Sequence, residues 1–127
     1  MRILTGGVYL VADDAISLPP DSAREYHDER RPFVIVSGQE SNDNPAWPLV
    51  LGCPMSSSTT HKTQFCVKLA AGEANCPKKT WIRVPAIQPL EKKALGDHTG
   101  PLPDEKLELL RARVLQYMGL ADGTSPF

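Results

Sequence analysis

The sequence predicts a small, mainly β domain: a bent antiparallel sheet or barrel, closed by one helix near the C-terminus. Short apolar runs rich in Val, Ile and Phe alternate with turns that contain Gly, Pro, Asn or Asp. Helical periodicity is clear in a single segment, close to the end of the chain. Because 127 residues suit one modest core, we expect a single domain over residues 1–120 and a flexible tail over 121–127.

Apolar composition and turn signals predict the strands. The most continuous apolar run is Phe33-Val34-Ile35-Val36, and a Ser-Gly pair follows it. Pro32 suits the first position of a strand and pushes Arg31 toward an extended conformation, which places this arginine at the rim of a sheet. The predicted strands are 7–11, 31–37, 48–53, 65–69 and 80–84.

The connections differ in length. Residues 12–29 predict a long first loop, residues 38–48 a polar turn, and Pro54 the end of the third strand. Residues 89–96 predict one helical turn, because proline opens the segment and glycine closes it.

Start and stop signals mark the C-terminal helix. Pro103 and two acidic residues begin it, and Gly119 with Leu120 predicts a Schellman-type end. We expect its apolar stripe to pack on the sheet. The stripe comprises Leu107, Leu110, Val114, Leu115 and Met118.

Composition narrows the possible functions. The net charge of −1 excludes a strongly basic surface, so contact with a polyanion requires a local patch. No apolar run approaches the roughly 20 residues of a membrane helix, and no signal peptide is recognisable, so we expect a cytoplasmic protein without membrane contact. Three cysteines without a Cys-x-x-Cys pair predict neither a disulfide framework nor a zinc site. We expect no metal and no cofactor.

Taken in order, these segments resemble the MazF/PemK (Kid) family of bacterial toxin endoribonucleases. The resemblance covers nearly the whole chain, from Gly7 to Leu120. It is carried by the first strand, by the Arg-Pro-Phe-Val-Ile-Val-Ser strand that starts at Arg31, by the Pro-Met-Ser-Ser turn of residues 54–57, by residues 90–96 and by the terminal helix.

The resemblance implies an SH3-like barrel, a homodimer, and metal-independent cleavage of single-stranded RNA, including mRNA. In such a reaction the ribose 2′-OH attacks the adjacent phosphorus and a 2′,3′-cyclic phosphate forms. It implies that Arg31 stabilises the phosphorane charge with its planar guanidinium, and that Ser56 donates its hydroxyl to a phosphate oxygen. It also implies a cognate antitoxin whose disordered acidic tail competes with RNA.

Polar residues near these two positions are candidates for substrate binding. They are His27, Ser57, Thr59, His61 and Lys62. Each has a structural alternative: the hydroxyl residues suit turn capping, and Arg31 itself suits a rim ion pair with Asp28, Glu29 or another carboxylate. For Trp47 and Trp81 we expect packing in the core or a dimer interface rather than base stacking.

One segment departs from the family pattern. Where members commonly have Asp/Asn-Gln-x-Arg, this chain has Pro85, Ala86 and Gln88. A catalytically silent member that binds RNA or an antitoxin is therefore a second hypothesis. A gyrase poison like CcdB is disfavoured, because such toxins end in Trp-Gly-Ile and this chain ends in Ser-Pro-Phe.

Overall fold

The computed structural model describes residues 1–18, 30–59 and 62–122. Seven strands and two α-helices make up the described fold. The strands are β1 (Gly7–Ala12), β2 (Arg30–Ile35), β3 (Leu49–Ser56), β4 (Val67–Leu69), β5 (Thr80–Ile82), β6 (Gln88–Glu91) and β7 (His98–Pro101). The helices are α1 (Gln39–Asp43) and α2 (Asp104–Tyr117), and short 3₁₀ turns occupy Asp13–Ala15, Glu73–Asn75, Val84–Ala86 and Lys92–Ala94.

The strands form one antiparallel sheet in the order β4-β5-β3-β2-β1-β7, with β6 also paired to β3. Strand β3 changes partner along its length: residues 49–52 pair with β6, and Met55 and Ser56 pair with β5. This exchange curls the sheet into a half-barrel, and α2 follows the last strand of the chain. The predicted fold class is confirmed.

Both faces of the central strands are buried. Val8 and Val34, which are paired across β1 and β2, belong to the cluster that packs against α2. The next pair, Tyr9 and Phe33, points the opposite way and belongs to a second apolar cluster. Successive side chains on a strand alternate between faces, so the uninterrupted apolar run of β2 serves both clusters.

Helix α2 ends as predicted. Gly119 adopts a φ of +76°, the Leu120 N–H donates to the Leu115 carbonyl at 2.8 Å, and the Gly119 N–H donates to the Gln116 carbonyl at 3.1 Å. Leu110 and Val114 are buried against the sheet. Leu115 and Met118 are exposed, however, so the predicted apolar stripe is wrong over its last turn.

Several predicted boundaries differ from the observed ones. Strand β3 does not end at Pro54 but continues to Ser56. It pairs with β5 there, since Met55 of β3 lies opposite Ile82 of β5. The predicted helical turn at 89–96 begins with the last residues of strand β6, and a 3₁₀ turn over Lys92–Ala94 follows. The polar turn at 38–48 contains α1, whose buried Asn42 bonds the Ser37 carbonyl. Strand β7 was not predicted.

The two tryptophans lie in different environments. Trp81 is 6% exposed, as expected for packing, whereas Trp47 is 51% exposed in the single chain. No helix among the described residues combines the length and apolarity needed to cross a membrane.

Candidate active-site cleft

Arg31 is fixed at the edge of the sheet by two hydrogen bonds. In the β1–β2 register it lies opposite Val11, so Asp13, which follows β1 directly, comes beside its side chain. Nε of Arg31 donates to Oδ1 of Asp13 at 2.6 Å, and Nη1 donates to the Met55 carbonyl at 2.9 Å. Nη2 is left without a partner among the described residues. The expected alternative of an ion pair is present, with Asp13 as the carboxylate.

Ser56 lies at the end of β3, on the same side as Arg31. Phe33 of β2 pairs with Pro54 of β3, and continuing that register by two residues brings Arg31 opposite Ser56. Because side chains alternate, Met55 is buried in the α2 cluster while Ser56 faces away from it. Oγ of Ser56 accepts the Ser58 N–H at 3.2 Å, so its own hydroxyl proton stays available for donation.

Arg31 and Ser56 line one open cleft of about 730 Å³. Among the described lining residues there are three cations, Arg30, Arg31 and Lys78, and one carboxylate, Asp13, so this part of the cleft is positive although the whole chain carries −1. The described lining residues are Leu10, Asp13, Arg30, Arg31, Pro32, Met55, Ser56, Ser57, Ser58, Asn75, Cys76, Pro77, Lys78, Thr80 and Thr99.

A second arginine anchors the hydroxyl-rich turn that follows β3. Arg83 is 6% exposed, and its Nη2 donates to the Ser58 carbonyl. Its backbone N–H donates to the Pro54 carbonyl at 2.9 Å, which continues the β3–β5 ladder. The structure therefore gives it a positioning contact on residues 56–58.

The remaining predicted substrate-binding residues divide into three groups. Ser57 lines the cleft beside Ser56. Thr59 and Lys62 are exposed and lie beyond the described lining, with Nζ of Lys62 placed 5.2 Å from the Trp81 ring centroid. His27 and His61 lie outside the described residues and stay predictions, as do the expected partners Asp28 and Glu29.

The segment that departs from the family pattern has a structural role here. Val84–Ala86 forms a 3₁₀ turn with Pro85 inside it. The Gln88 amide accepts the Ser17 N–H at 3.0 Å and donates to the Ser17 carbonyl at 2.8 Å and the Ala86 carbonyl at 2.9 Å. These contacts occupy the side chain, and Gln88 does not line the cleft.

Asp13 and Arg83 are the site residues that sequence reasoning missed. Asp13 is only 3% exposed, and a carboxylate this buried needs a cation. The available signal was its position directly after an apolar strand, but 18 residues separate it from Arg31. Only the pairing register of β1 and β2 brings the two together.

Thiols and metal ligands contribute little to the site. Among the described residues no group of three or more His, Cys, Asp or Glu side chains is placed to hold a metal ion. Burial raises the pKa of the Cys76 thiol in the cleft, and burial raises that of Cys53 to about 12. Both stay protonated at neutral pH, so neither is a reactive nucleophile.

Comparison with known proteins identifies the fold. An endoribonuclease in complex with its cognate antitoxin from Mycobacterial species is 20% identical, with 94% of this chain and 96% of that chain covered and a TM-score of 0.65. MazE–MazF (Form-III) from Deinococcus radiodurans is 15% identical over 95% and 100% of the two chains, with a TM-score of 0.68. The Mycobacterium tuberculosis toxin MazF-mt6 is 15% identical over 91% and 98%, with a TM-score of 0.67.

Sequence comparison is decisive for the family. No curated protein matches the chain. The family model for PemK-like, MazF-like toxins of type II toxin–antitoxin systems matches residues 6–118, which include every described strand and both helices. This protein therefore belongs to the PemK-like, MazF-like toxin family.

Proposed function

We propose that this toxin is an endoribonuclease that cleaves single-stranded RNA at the Arg31–Ser56 cleft without a metal ion. One observation carries the proposal: a serine hydroxyl and a guanidinium whose Nη2 has no partner among the described residues line the same positive cleft. Members of the family are typically endoribonucleases. Both groups suit a phosphodiester, since each donates a hydrogen bond to a phosphate oxygen.

In the proposed reaction, the ribose 2′-OH loses its proton and attacks the adjacent phosphorus. The P–O5′ bond breaks, the leaving oxygen takes up a proton, and the products are a 2′,3′-cyclic phosphate and a 5′-hydroxyl end. Arg31 stabilises the extra negative charge on the phosphorane, and Asp13 keeps the guanidinium in place. Ser56 donates to a second phosphate oxygen, while Ser57 and Thr59 bind flanking parts of the strand.

The test is incubation of the purified chain with mixed-sequence RNA in excess EDTA, with fragment ends identified by mass spectrometry. We expect discrete fragments with 2′,3′-cyclic phosphate ends. Arg31→Lys keeps a charge for Asp13 but loses the planar fork, and Ser56→Ala loses the hydroxyl; each should slow cleavage on the order of 100-fold. Arg111→Lys and Ser41→Ala, both on exposed helix positions, are the matched controls and should cleave normally.

A second candidate function is RNA binding without cleavage. Two observations favour it: the Gln88 amide is hydrogen-bonded to the backbone, and Pro85 lies in a 3₁₀ turn. This segment therefore does not supply the acidic and basic side chains of the Asp/Asn-Gln-x-Arg pattern that family members commonly have. Under this alternative, wild-type protein retards RNA in a gel shift but leaves it intact after prolonged incubation. Fragments that disappear in Arg31→Lys exclude it.

We also propose a cytoplasmic homodimer that a cognate antitoxin with a disordered acidic tail neutralises. The solved relatives include complexes with their own antitoxins. A positive cleft favours an acidic ligand, and such a ligand would occupy the RNA site. Light scattering of the purified chain tests the dimer, and competition between the acidic partner and RNA for one site tests the neutralisation.

A further inference from the structure

The sheet face beside the cleft carries a row of three side chains that begins at Ser56. Ser56 of β3 pairs with Trp81 of β5, and Trp81 pairs with Lys68 of β4. Residues paired across neighbouring strands project from the same face, so these three side chains form one row that leads away from Ser56. The adjacent row, Met55, Ile82 and Val67, is buried in the core on the opposite face.

Two further lysines converge on the centre of that row. Nζ of Lys62 and Nζ of Lys79 lie 5.2 Å and 5.5 Å from the centroid of the Trp81 ring, which is within cation–π range. Trp81 is nearly buried beneath them, so its ring holds the two ammonium groups and is not itself a stacking platform for a base.

These ammonium groups form no ion pair among the residues that the structure describes, and Lys62, Lys68 and Lys79 are all exposed. Two like charges held against one ring repel each other, and an anion between them would remove that repulsion. Lys78, next to Lys79 in the chain, lines the cleft and joins this face to it. In a chain of net charge −1, this concentration of cations marks a site for a polyanion.

We propose that Lys62, Lys79 and Lys68 form a second phosphate-binding subsite, which takes backbone phosphates beside the scissile one in the RNA strand. The inference rests on the proposed function and extends it, because it gives the RNA a path over the protein surface from β3 across β5 to β4. Lysine binds phosphate as a point charge and reads no base, so the subsite adds affinity without sequence preference. Continuity with the cleft through Lys78 favours the substrate strand over a separate ligand.

The test compares binding of an uncleavable 2′-O-methyl dinucleotide with that of a 2′-O-methyl RNA of 10 nucleotides in mixed sequence. The dinucleotide carries only the phosphate that binds at Arg31 and Ser56, whereas the 10-mer also carries the neighbouring phosphates. We expect Lys62→Gln/Lys79→Gln to weaken binding of the 10-mer on the order of twentyfold at 0.1 M salt, and to make the slope of log K against log salt shallower by about 1.4, since each single-strand phosphate contributes about 0.7. Binding of the dinucleotide should be unchanged.

Two matched variants test whether RNA affinity depends on where the positive charges lie and not only on how many there are. Lys93→Gln/Arg111→Gln also removes two exposed cations but leaves the Trp81 face intact, and it should bind both oligonucleotides like the wild type. Lys62→Arg/Lys79→Arg retains both charges over the ring and should restore the 10-mer affinity and the salt slope.

The outcomes separate this inference from the proposed function. If wild-type protein cleaves RNA while Lys62→Gln/Lys79→Gln binds the 10-mer like the control variant, the subsite is wrong and the cleft assignment stands. If wild-type protein neither binds nor cleaves RNA, both fail. If the double variant keeps its RNA affinity but loses binding of a glutamate 12-mer peptide, the face serves an acidic protein and the RNA assignment is overturned.

Discussion

The Arg31–Asp13 ion pair predicts that a substitution at Arg31 lowers the stability of the fold as well as the proposed RNA cleavage. The side chains of Arg31 and Asp13 are 17% and 1% exposed, so replacing the arginine removes the 2.6 Å ion pair from a buried carboxylate. Removing one partner of a buried pair costs about 3–5 kcal/mol. For a domain of this size, we expect Arg31→Met to lower Tm by about 10–20 °C.

Removing both charges should recover most of this loss. Asp13→Asn/Arg31→Met removes both charges of the buried pair. Uncharged replacements of buried ion pairs often leave the free energy of unfolding almost unchanged. Urea unfolding of the wild type, both single variants and the double variant gives a double-mutant cycle, in which we expect a coupling of about 2 kcal/mol or more. The double variant should be folded yet unable to cleave RNA, which separates structure from chemistry.

An exposed pair of the same two residue types is the control. Arg2 and Asp43 bond at 3.1 Å with side chains 66% and 41% exposed, so Arg2→Met should leave Tm nearly unchanged. Equal Tm losses in Arg31→Met and Arg2→Met, or a double variant no more stable than Arg31→Met, would refute the reasoning about burial.

Three further predictions concern other parts of the fold. A Cβ at Gly52 would lie 2.3 Å from the Val34 carbonyl oxygen, so Gly52→Ala should destabilise the β2–β3 pairing by about 1–3 kcal/mol in urea unfolding, whereas Gly38→Ala, with nothing within 4 Å, should not. Burial raises the pKa of Cys53 to about 12, so above about pH 9 the folded state keeps a thiol proton that the unfolded state loses. The free energy of unfolding should therefore fall as the pH rises above about 9, and Cys53→Ala should remove the part of this pH dependence that comes from the thiol. Arg83→Met should slow RNA cleavage by loosening the turn at Ser58, with increased amide hydrogen exchange there; unchanged exchange would contradict the positioning contact.

Local chemistry predicted much of the fold, but not where strands change partners. Pro54 was expected to end β3 because proline lacks the N–H that a ladder requires. In the structure the Pro54 carbonyl accepts the Arg83 N–H, and the strand continues to Ser56 in a new pairing with β5. Likewise, residues 89–96 carry helix signals, yet their first part pairs with β3 because the sheet curls to meet it.

The candidate site was predicted in part. Arg31 at a sheet edge and Ser56 in a hydroxyl-rich turn follow from the sequence and its family resemblance, and both line the cleft. Lys62 was predicted among the substrate-binding residues, but its position over Trp81 depends on a contact between residues 19 positions apart in sequence. The roles of His27 and His61 stay predictions.

The sequence by itself determined that this protein forms a small antiparallel sheet with one terminal helix, because alternation, turn residues and helix end signals act over a few neighbouring residues. It also determined the family, since the order of those segments is distinctive. Only the tertiary structure decided that Asp13 holds Arg31, that Arg83 holds the turn after Ser56, and that two lysines meet over Trp81. These contacts depend on strand register and sheet curvature, which arise from long-range packing rather than from any local pattern.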